Sequence, residues 1–308
     1  MKFAVVGAGA LGSAIGGVLT EAGHDVLLVT RNAAHVDAIN RRGLTLRTAG
    51  VDRTVAARAV VAAAGQAPVD CVIVLVKSAQ THDAVSAATA LIGPDTCVLS
   101  LQNGLGHEDI LTELVGAHRV LAGKTYCGGQ MIAPGHVICG HVGKDTHIGE
   151  LDGTVTPRVT SIAAALNAAG LHTTVSDNIM GTIWDKLFIN VATGAISGIT
   201  RLAYGDLYQM PALENVAVAA VSEAMAIARM KGVRVSITDP VQAWRKAGAG
   251  LPPEFKPSIL QTLERGVRTE VDYINGAVVT LGALYGVPTP VNSTLLACIK
   301  GIEKNLPA

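Results

Sequence analysis

The chain has 308 residues, near twice the usual size of one domain, and its apolar share of 49% excludes both a disordered chain and a small staple-dependent fold. Charged residues are only 16% and aromatics 3%, so a core has to be built from Ala, Val, Leu, Ile and close glycine contacts. Lys plus Arg and Asp plus Glu balance at 24 each, which leaves no net field for nucleic acid or an anionic membrane face and points to a small-molecule ligand. The five cysteines, Cys71, Cys97, Cys127, Cys139 and Cys298, form no C-x-x-C pair and read as reduced thiols of a cytoplasmic protein. The longest uncharged run, residues 3–20, holds five glycines and lacks interfacial aromatics, so neither a signal peptide nor a spanning helix is expected.

The first half alternates strand and helix. Apolar, β-branched runs at 3–6, 25–30, 69–76 and 97–101 are each followed by a helix-length segment, at 11–21, 33–42, 81–91 and 107–114. Runs that are continuously apolar predict strands buried on both faces, hence an α/β fold with a doubly wound parallel sheet of Rossmann type. Between 43 and 61, and again between 137 and 149, polar and apolar residues alternate around glycine turns, which predicts antiparallel additions at an edge. Beyond 175 only helical patterns appear, at 178–192, 212–231, 258–263, 270–285 and 291–304. Asp177 suits an N-cap, Gly232 and Gly286 fall just past helix ends, and Pro288 blocks continuation. The chain therefore divides into an α/β domain over 1–175 and an all-helical domain over 176–308.

The strongest chemical signal is Gly7-Ala8-Gly9-Ala10-Leu11-Gly12, because it ends a hydrophobic strand and opens a helix. Gly7 permits a tight turn, Gly9 lets the backbone approach a pyrophosphate, and Gly12 allows close helix–strand packing. The phosphate then rests on free N–H groups at the positive end of the helix. An acid at the end of the second strand would bond the ribose hydroxyls of NAD, but residues 24–32 end in Thr30 and Arg31, with Asp25 at the wrong end. A guanidinium at Arg31 suits a 2′-phosphate, which favours NADP (NADPH) and makes 1–175 an NADP-binding domain. A solvated Arg after a strand is the plainer alternative.

Two further strands end in polar groups at the edge where open α/β sheets bind ligands, with Lys77 after one and Asn103 after the other. In the helical half, Lys186 and Asn190 stand one turn apart with Thr193 near the same face, a polar stripe on an otherwise apolar helix. A solvated face explains such stripes in general; apolar flanks argue for a partner or a reaction. Glu270 lies in Thr269-Glu270-Val271-Asp272, where Thr269 and Asp272 could form a capping box and leave Glu270 a purely local role. His136, Cys139, His141 and His147 match no zinc spacing and are better explained by a hairpin, so no metal is expected.

These residues together resemble the 2-dehydropantoate 2-reductase (ketopantoate reductase) family over essentially the full length. The resemblance is carried by Gly7 to Gly12, Val76-Lys77, Gln102-Asn103-Gly104-Leu105-Gly106, Trp184-Asp185-Lys186-Leu187-Phe188-Ile189-Asn190, residues 257–261 and Arg268 to Gly276. It implies a Rossmann domain joined to a helical substrate and catalytic domain, with NADPH and a small 2-oxo acid in the cleft between them. Residue by residue, it makes Lys186 the general acid, with Asn103 and Glu270 completing the catalytic set. Asn190, Ser258 and Glu270 then bind substrate, while Gly7, Ala8, Gly9, Ala10, Leu11, Gly12, Arg31, Lys77 and Asn103 contact the cofactor. It implies reduction of ketopantoate to pantoate in pantothenate biosynthesis, in the cytoplasm; a homodimer stays open.

One position departs from the family pattern. Asn190-Val-Ala-Thr-Gly194-Ala-Ile-Ser-Gly198 stands where the family commonly has Asn-x-x-x-Asn-Pro-Leu-Thr-Ala. If position 194 faces the substrate, glycine there removes an amide, opens space for bulkier 2-oxo acids and leaves the Thr193 hydroxyl to compensate. Reduction of a different 2-oxo acid on the same scaffold is therefore the neighbouring reading, and a non-catalytic NADP-binding regulatory module the more distant one. Lys186, Asn103 and Glu270 argue against the module, which needs no proton donor.

Overall fold

The computed structural model describes residues 1–307. The first part of the chain runs β1 (Lys2–Val6), α1 (Ala10–Glu21), β2 (Asp25–Val29), α2 (Ala33–Arg42), β3 (Leu44–Thr48), β4 (Val51–Val55), β5 (Arg58–Val60), β6 (Cys71–Val74), α3 (Thr81–Ser86), β7 (Cys97–Ser100) and α4 (His107–Val115). It continues through β8 (Val120–Thr125), β9 (Gly128–Ala133), β10 (His136–Gly140), β11 (Thr146–Glu150), α5 (Pro157–Ala168) and β12 (Thr173–Val175). The rest is helical: α6 (Ile179–Thr200), α7 (Tyr204–Leu207), α8 (Pro211–Met230), α9 (Pro240–Gly248), α10 (Ser258–Glu264), α11 (Asn275–Tyr285) and α12 (Pro290–Lys304). Contacts group the chain into two compact units. One holds residues 1–102 and 107–179; the other holds residues 103–106 together with those from 180 onward.

The first unit is built on an eight-stranded sheet in the order β12-β11-β8-β7-β6-β1-β2-β5. The six strands from β8 to β5 are mutually parallel, and the β11–β12 pair runs antiparallel to them. Phe3, Val5, Leu28, Ile73 and Leu99 pack with Ile15 and Leu19 of α1 in one core. Their strand neighbours Ala4, Val6, Leu27, Val72, Val74 and Val98 pack with Val85 of α3 and Leu111 of α4 in another. Successive residues of each strand thus feed opposite cores, which is why these strands are continuously apolar.

The alternating stretches behave differently from expectation. β3 and β4 do not extend the edge of the main sheet; they form a separate four-stranded sheet in the order β4-β3-β10-β9. β10 and β11, expected in one hairpin, lie in different sheets. β8 is buried along its whole length and needs a partner on the side away from β7, and β11 provides it, with Lys124 opposite His147 and a 2.8 Å hydrogen bond between the Thr125 and Thr146 hydroxyls. The sequence patterns also missed α5 and β12.

In the second unit, α8 turns Ala217, Ala220, Val221, Ala224 and Ile227 inward and packs against α9, α11 and α12. Among the described residues it is the one helix long and apolar enough to cross a membrane. Glu223 on α8 accepts hydrogen bonds from the Val291 and Asn292 amides (2.8 and 3.0 Å) and so caps α12, while Asn292 Oδ1 accepts one from buried Asn275 at 2.9 Å. That chain fixes where α11 begins. The helix expected over 270–285 accordingly starts only at Asn275, after a 3-10 turn at Val271–Tyr273.

Glu108, in the first turn of α4, is buried, and burial pushes its carboxyl up to about 7. The unfolded chain releases this proton near 4.5 and the folded chain retains it to about 7, so Glu108 lowers stability as pH rises through that window. Glu108→Gln is expected to stabilise the protein by about 2–3 kcal/mol at pH 8 and by little at pH 4, read from urea unfolding at the two pH values. An equal effect at both would show that ionisation of Glu108 plays no part.

Candidate active site

After β1 the backbone turns through Gly7 at φ +98°, a conformation L side chains rarely adopt, and a Cβ there would lie 2.4 Å from the Val76 amide nitrogen. The Gly7 and Ala8 amides both donate to Val29 O, at 3.0 and 2.9 Å, which ties the loop to the end of β2. A Cβ on Gly12 would come within 2.4 Å of Gly7 O, so α1 approaches β1 as closely as glycine allows. At Gly9 nothing lies within 4 Å of the same construction, and no side chain caps the first turn of α1. A tight turn, close packing and an open, uncapped helix start fit a dinucleotide pyrophosphate resting on the amides of Ala10, Leu11 and Gly12.

Arg31 is exposed, two residues past the end of β2 and immediately before Asn32, the N-cap of α2. Asp25 faces Arg58 at 3.8 Å from the opposite end of the strand. Lys77 is exposed where β6 gives way to a 3-10 turn. Gln102, quoted in the sequence only as part of a motif and given no role there, organises this edge: its amide donates to Val76 O at 2.9 Å and to the Thr81 hydroxyl at 2.8 Å. The ends of β6 and β7 are thereby held together.

Asn103 begins the short segment that joins the second unit. Its Oδ1 accepts a 2.7 Å hydrogen bond from Lys186 Nζ on half-buried α6, so two residues 83 apart in sequence meet directly. Gly104, at φ +96°, makes this possible, since a Cβ there would lie 2.3 Å from Tyr273 O, and the Leu105 amide donates to that same carbonyl at 3.0 Å. Tyr273 closes the turn that starts at Glu270, its amide donating to Glu270 O at 3.0 Å. Lys186, Asn103 and the Glu270 turn thus form one cluster. Asn190 is half-buried one turn beyond Lys186, and Ser258 is exposed at the start of α10. Asp185 is a further residue the sequence reading left without a role: its carboxylate accepts from the amides of Ser236 (3.0 Å) and Ile237 (2.9 Å), and from the Ser236 hydroxyl, which fixes α6 against that loop.

Three local expectations change. The capping box at Thr269 is not formed: its hydroxyl donates to Glu303 at 2.7 Å, and Asp272 pairs with Lys300 at 2.7 Å. Gly194 is buried against α10, and a Cβ there would stand 3.1 Å from Ile259 Cδ1, so glycine opens no space. Thr193 cannot stand in for a lost amide, because it is buried with its hydroxyl 3.0 Å from that of Tyr204.

Residues 3–153 match the family model described as Ketopantoate reductase PanE/ApbA, and residues 178–303 match Ketopantoate reductase PanE/ApbA C terminal. The chain belongs to the ketopantoate reductase family. It is an oxidoreductase by that membership. The 2-dehydropantoate 2-reductase of Pyrococcus horikoshii is 35% identical over 98% of both chains. Among solved structures, a PanE/ApbA family ketopantoate reductase from Ralstonia eutropha JMP134 has a TM-score of 0.90 at 36% identity, covering 99% of each chain. D-mandelate dehydrogenase, solved as a ternary structure with NADH and anilino(oxo)acetate, has a TM-score of 0.91 at 28% identity over 99% of each chain.

The packing of Gly194 in this family member yields a stability test. Gly194→Asn forces its side chain onto Ile259 and is expected to destabilise the fold by about 1–3 kcal/mol in urea melts, with Ile259→Ala in the same chain recovering part of the loss. Substitution at 194 with no change in stability would mean that α10 does not press on α6 there.

Proposed function

We propose that the protein reduces ketopantoate to pantoate with NADPH. The hydrogen bond from Lys186 Nζ to Asn103 Oδ1 carries this reading, because it holds a half-buried ammonium at a fixed position beside the turn at Glu270. The nicotinamide cofactor, when bound, supplies hydride to the C2 carbonyl carbon. Lys186 stabilises the negative charge developing on the carbonyl oxygen and delivers the proton, so one group gives electrostatic and general-acid catalysis. Asn103 orients Lys186 and, from the loop that follows β7, belongs to both the catalytic and the cofactor-contacting sets. Glu270, Asn190 and Ser258 hold the substrate, with Glu270 accepting a hydrogen bond from its hydroxyl.

Arg31, with no acid at the end of β2, supports NADPH over NADH, and Lys77 provides a second cation for the cofactor. Residues 1–175 form the cofactor domain and 176–308 the substrate domain in this reading, which suits an enzyme of the cytoplasm. A second reading is favoured by the likeness to D-mandelate dehydrogenase: a 2-oxo acid with an aryl group could take the place of ketopantoate. NADPH oxidation measured with ketopantoate and with a panel of aliphatic and aryl 2-oxo acids separates the two, and no turnover with any of them would leave a binding module.

Lys186→Ala is expected to lower kcat by about 10²–10⁴ while cofactor affinity, measured by fluorescence titration, stays near wild type. Retention of most of the turnover would return Lys186 to a structural role. Arg31→Glu should weaken NADPH binding by about 10–100-fold and NADH binding far less. A wild-type protein that prefers NADH would refute this reading of Arg31.

A further inference from the structure

His35 lies in the first turn of α2 and is completely buried, yet the reaction gives it no task. Its ring has two polar partners. The Gly135 amide, in the turn between β9 and β10, stands 2.9 Å from Nδ1, and the Ser13 hydroxyl on α1 stands 2.9 Å from Nε2. An amide can only donate, so Nδ1 accepts and the ring proton is on Nε2, from which it is donated to Ser13 Oγ. Burial pushes the pKa of His35 down, which keeps the ring in this neutral form. Ser13 Oγ in turn donates to Ala8 O at 3.1 Å, inside the glycine-rich loop.

The chain of bonds therefore has one direction, from Gly135 N–H through His35 and Ser13 to the Ala8 carbonyl. It is anchored at both ends. The Ala8 amide is held by Val29 O, and Gly135 O accepts from the Thr45 amide at 2.8 Å. Gly135 also sits hard on α2, since a Cβ there would lie 2.9 Å from that of Ala38, and a Cβ on Gly129 of β9 would lie 2.7 Å from the Leu11 backbone of α1. The His35 amide is bound in addition to the side chain of Asn32 at 3.1 Å, next to Arg31.

We propose that His35 is a positioning residue for the cofactor: its ring, through Ser13, ties the Gly7–Gly12 loop to the first turn of α2, next to the segment carrying Arg31, and it thereby sets the pyrophosphate and 2′-phosphate contacts against each other. This rests on the reading of those two segments as cofactor contacts. It assigns a function to the separate four-stranded sheet, whose β9–β10 turn supplies the first donor of the chain. His35 touches no reacting atom, so its loss acts on cofactor binding and not on hydride transfer.

The test compares Ser13→Ala, His35→Phe and His35→Gln with wild type. Amide hydrogen exchange on the cofactor-free protein is followed in residues 7–13 and 31–36, and affinities for NADPH and NADH are taken from fluorescence titration. Ser13→Ala and His35→Phe are expected to raise exchange at least about tenfold in the loop, with residues 31–36, whose N-cap bond is made by a backbone amide, changing less. Both should weaken NADPH binding about 5–30-fold with kcat at saturating NADPH within twofold of wild type, and His35→Gln, which keeps a donor for Ser13, should recover most of the affinity. Loop exchange or NADPH affinity of Ser13→Ala within twofold of wild type overturns the proposal, as does a His35→Phe variant that only melts at lower temperature. Failure of the cofactor reading itself is seen separately, as a wild-type protein that binds neither nucleotide.

Discussion

An ammonium withdrawn partly from water requires an acceptor held at hydrogen-bond distance, and meeting that requirement for Lys186 shapes the chain around it. Asn103 is the acceptor, and to reach it the four residues 103–106 leave the unit that contains β7 and α4 and join the helical one. Their path is narrow. Gly104 passes so close to Tyr273 O that no side chain fits, and Gln102, just before, is fastened to Val76 and Thr81. Because Tyr273 also closes the turn at Glu270, a single backbone contact brings the ammonium, its acceptor and the carboxylate turn into one neighbourhood.

Much of this was legible in the sequence. α2 spans the predicted 33–42, and the glycine-rich loop lies between β1 and α1 as its spacing required, because local sterics determine both. What was hidden depended on partners distant in sequence. β8 contains Gly123 and Lys124 and lacks a clean apolar run, so only its pairing with β11 and β7 reveals it as a strand. α6 continues through Gly194 and Gly198, poor helix formers, because α10 and α12 press on it: a Cβ at Gly198 would lie 2.8 Å from Ile259 and 2.9 Å from Ile299. The polar stripe on α6 located Lys186 but gave no sign that Thr193 turns to Tyr204. Likewise the relay through Ser13 and His35 joins positions 22 apart whose meeting no periodicity encodes.

The scarcity of aromatic residues shows in how the two units are packed. Among the described residues, Phe3 is the only aromatic side chain in the cores flanking the main sheet, which Val, Leu, Ile and Ala fill otherwise. Apart from exposed Tyr126, the remaining rings lie in the helical unit. Phe255, Tyr204, Tyr208 and Trp244 touch in succession, with Tyr208 and Trp244 centroids 4.3 Å apart, and Trp184 packs edge-on to Phe188 one turn along α6. The Tyr204 hydroxyl links this cluster to Thr193, so the helix carrying Lys186 and Asn190 is braced by rings on one side and by the Asp185 carboxylate on another.

The two units meet their chemical demands in different ways. In the first, the groups proposed to meet the cofactor are backbone amides of the glycine-rich loop, and what the sequence must specify is the absence of Cβ atoms at Gly7 and Gly12. In the second, the candidate contacts are side chains projected from α6, α10 and the turn at 270, each free to change without disturbing the backbone that presents it. A scaffold divided in this way can keep one cofactor loop while altering the acid it accepts. The likeness in fold to a dehydrogenase that binds anilino(oxo)acetate, at a TM-score of 0.91 and only 28% identity, is the pattern such a division produces.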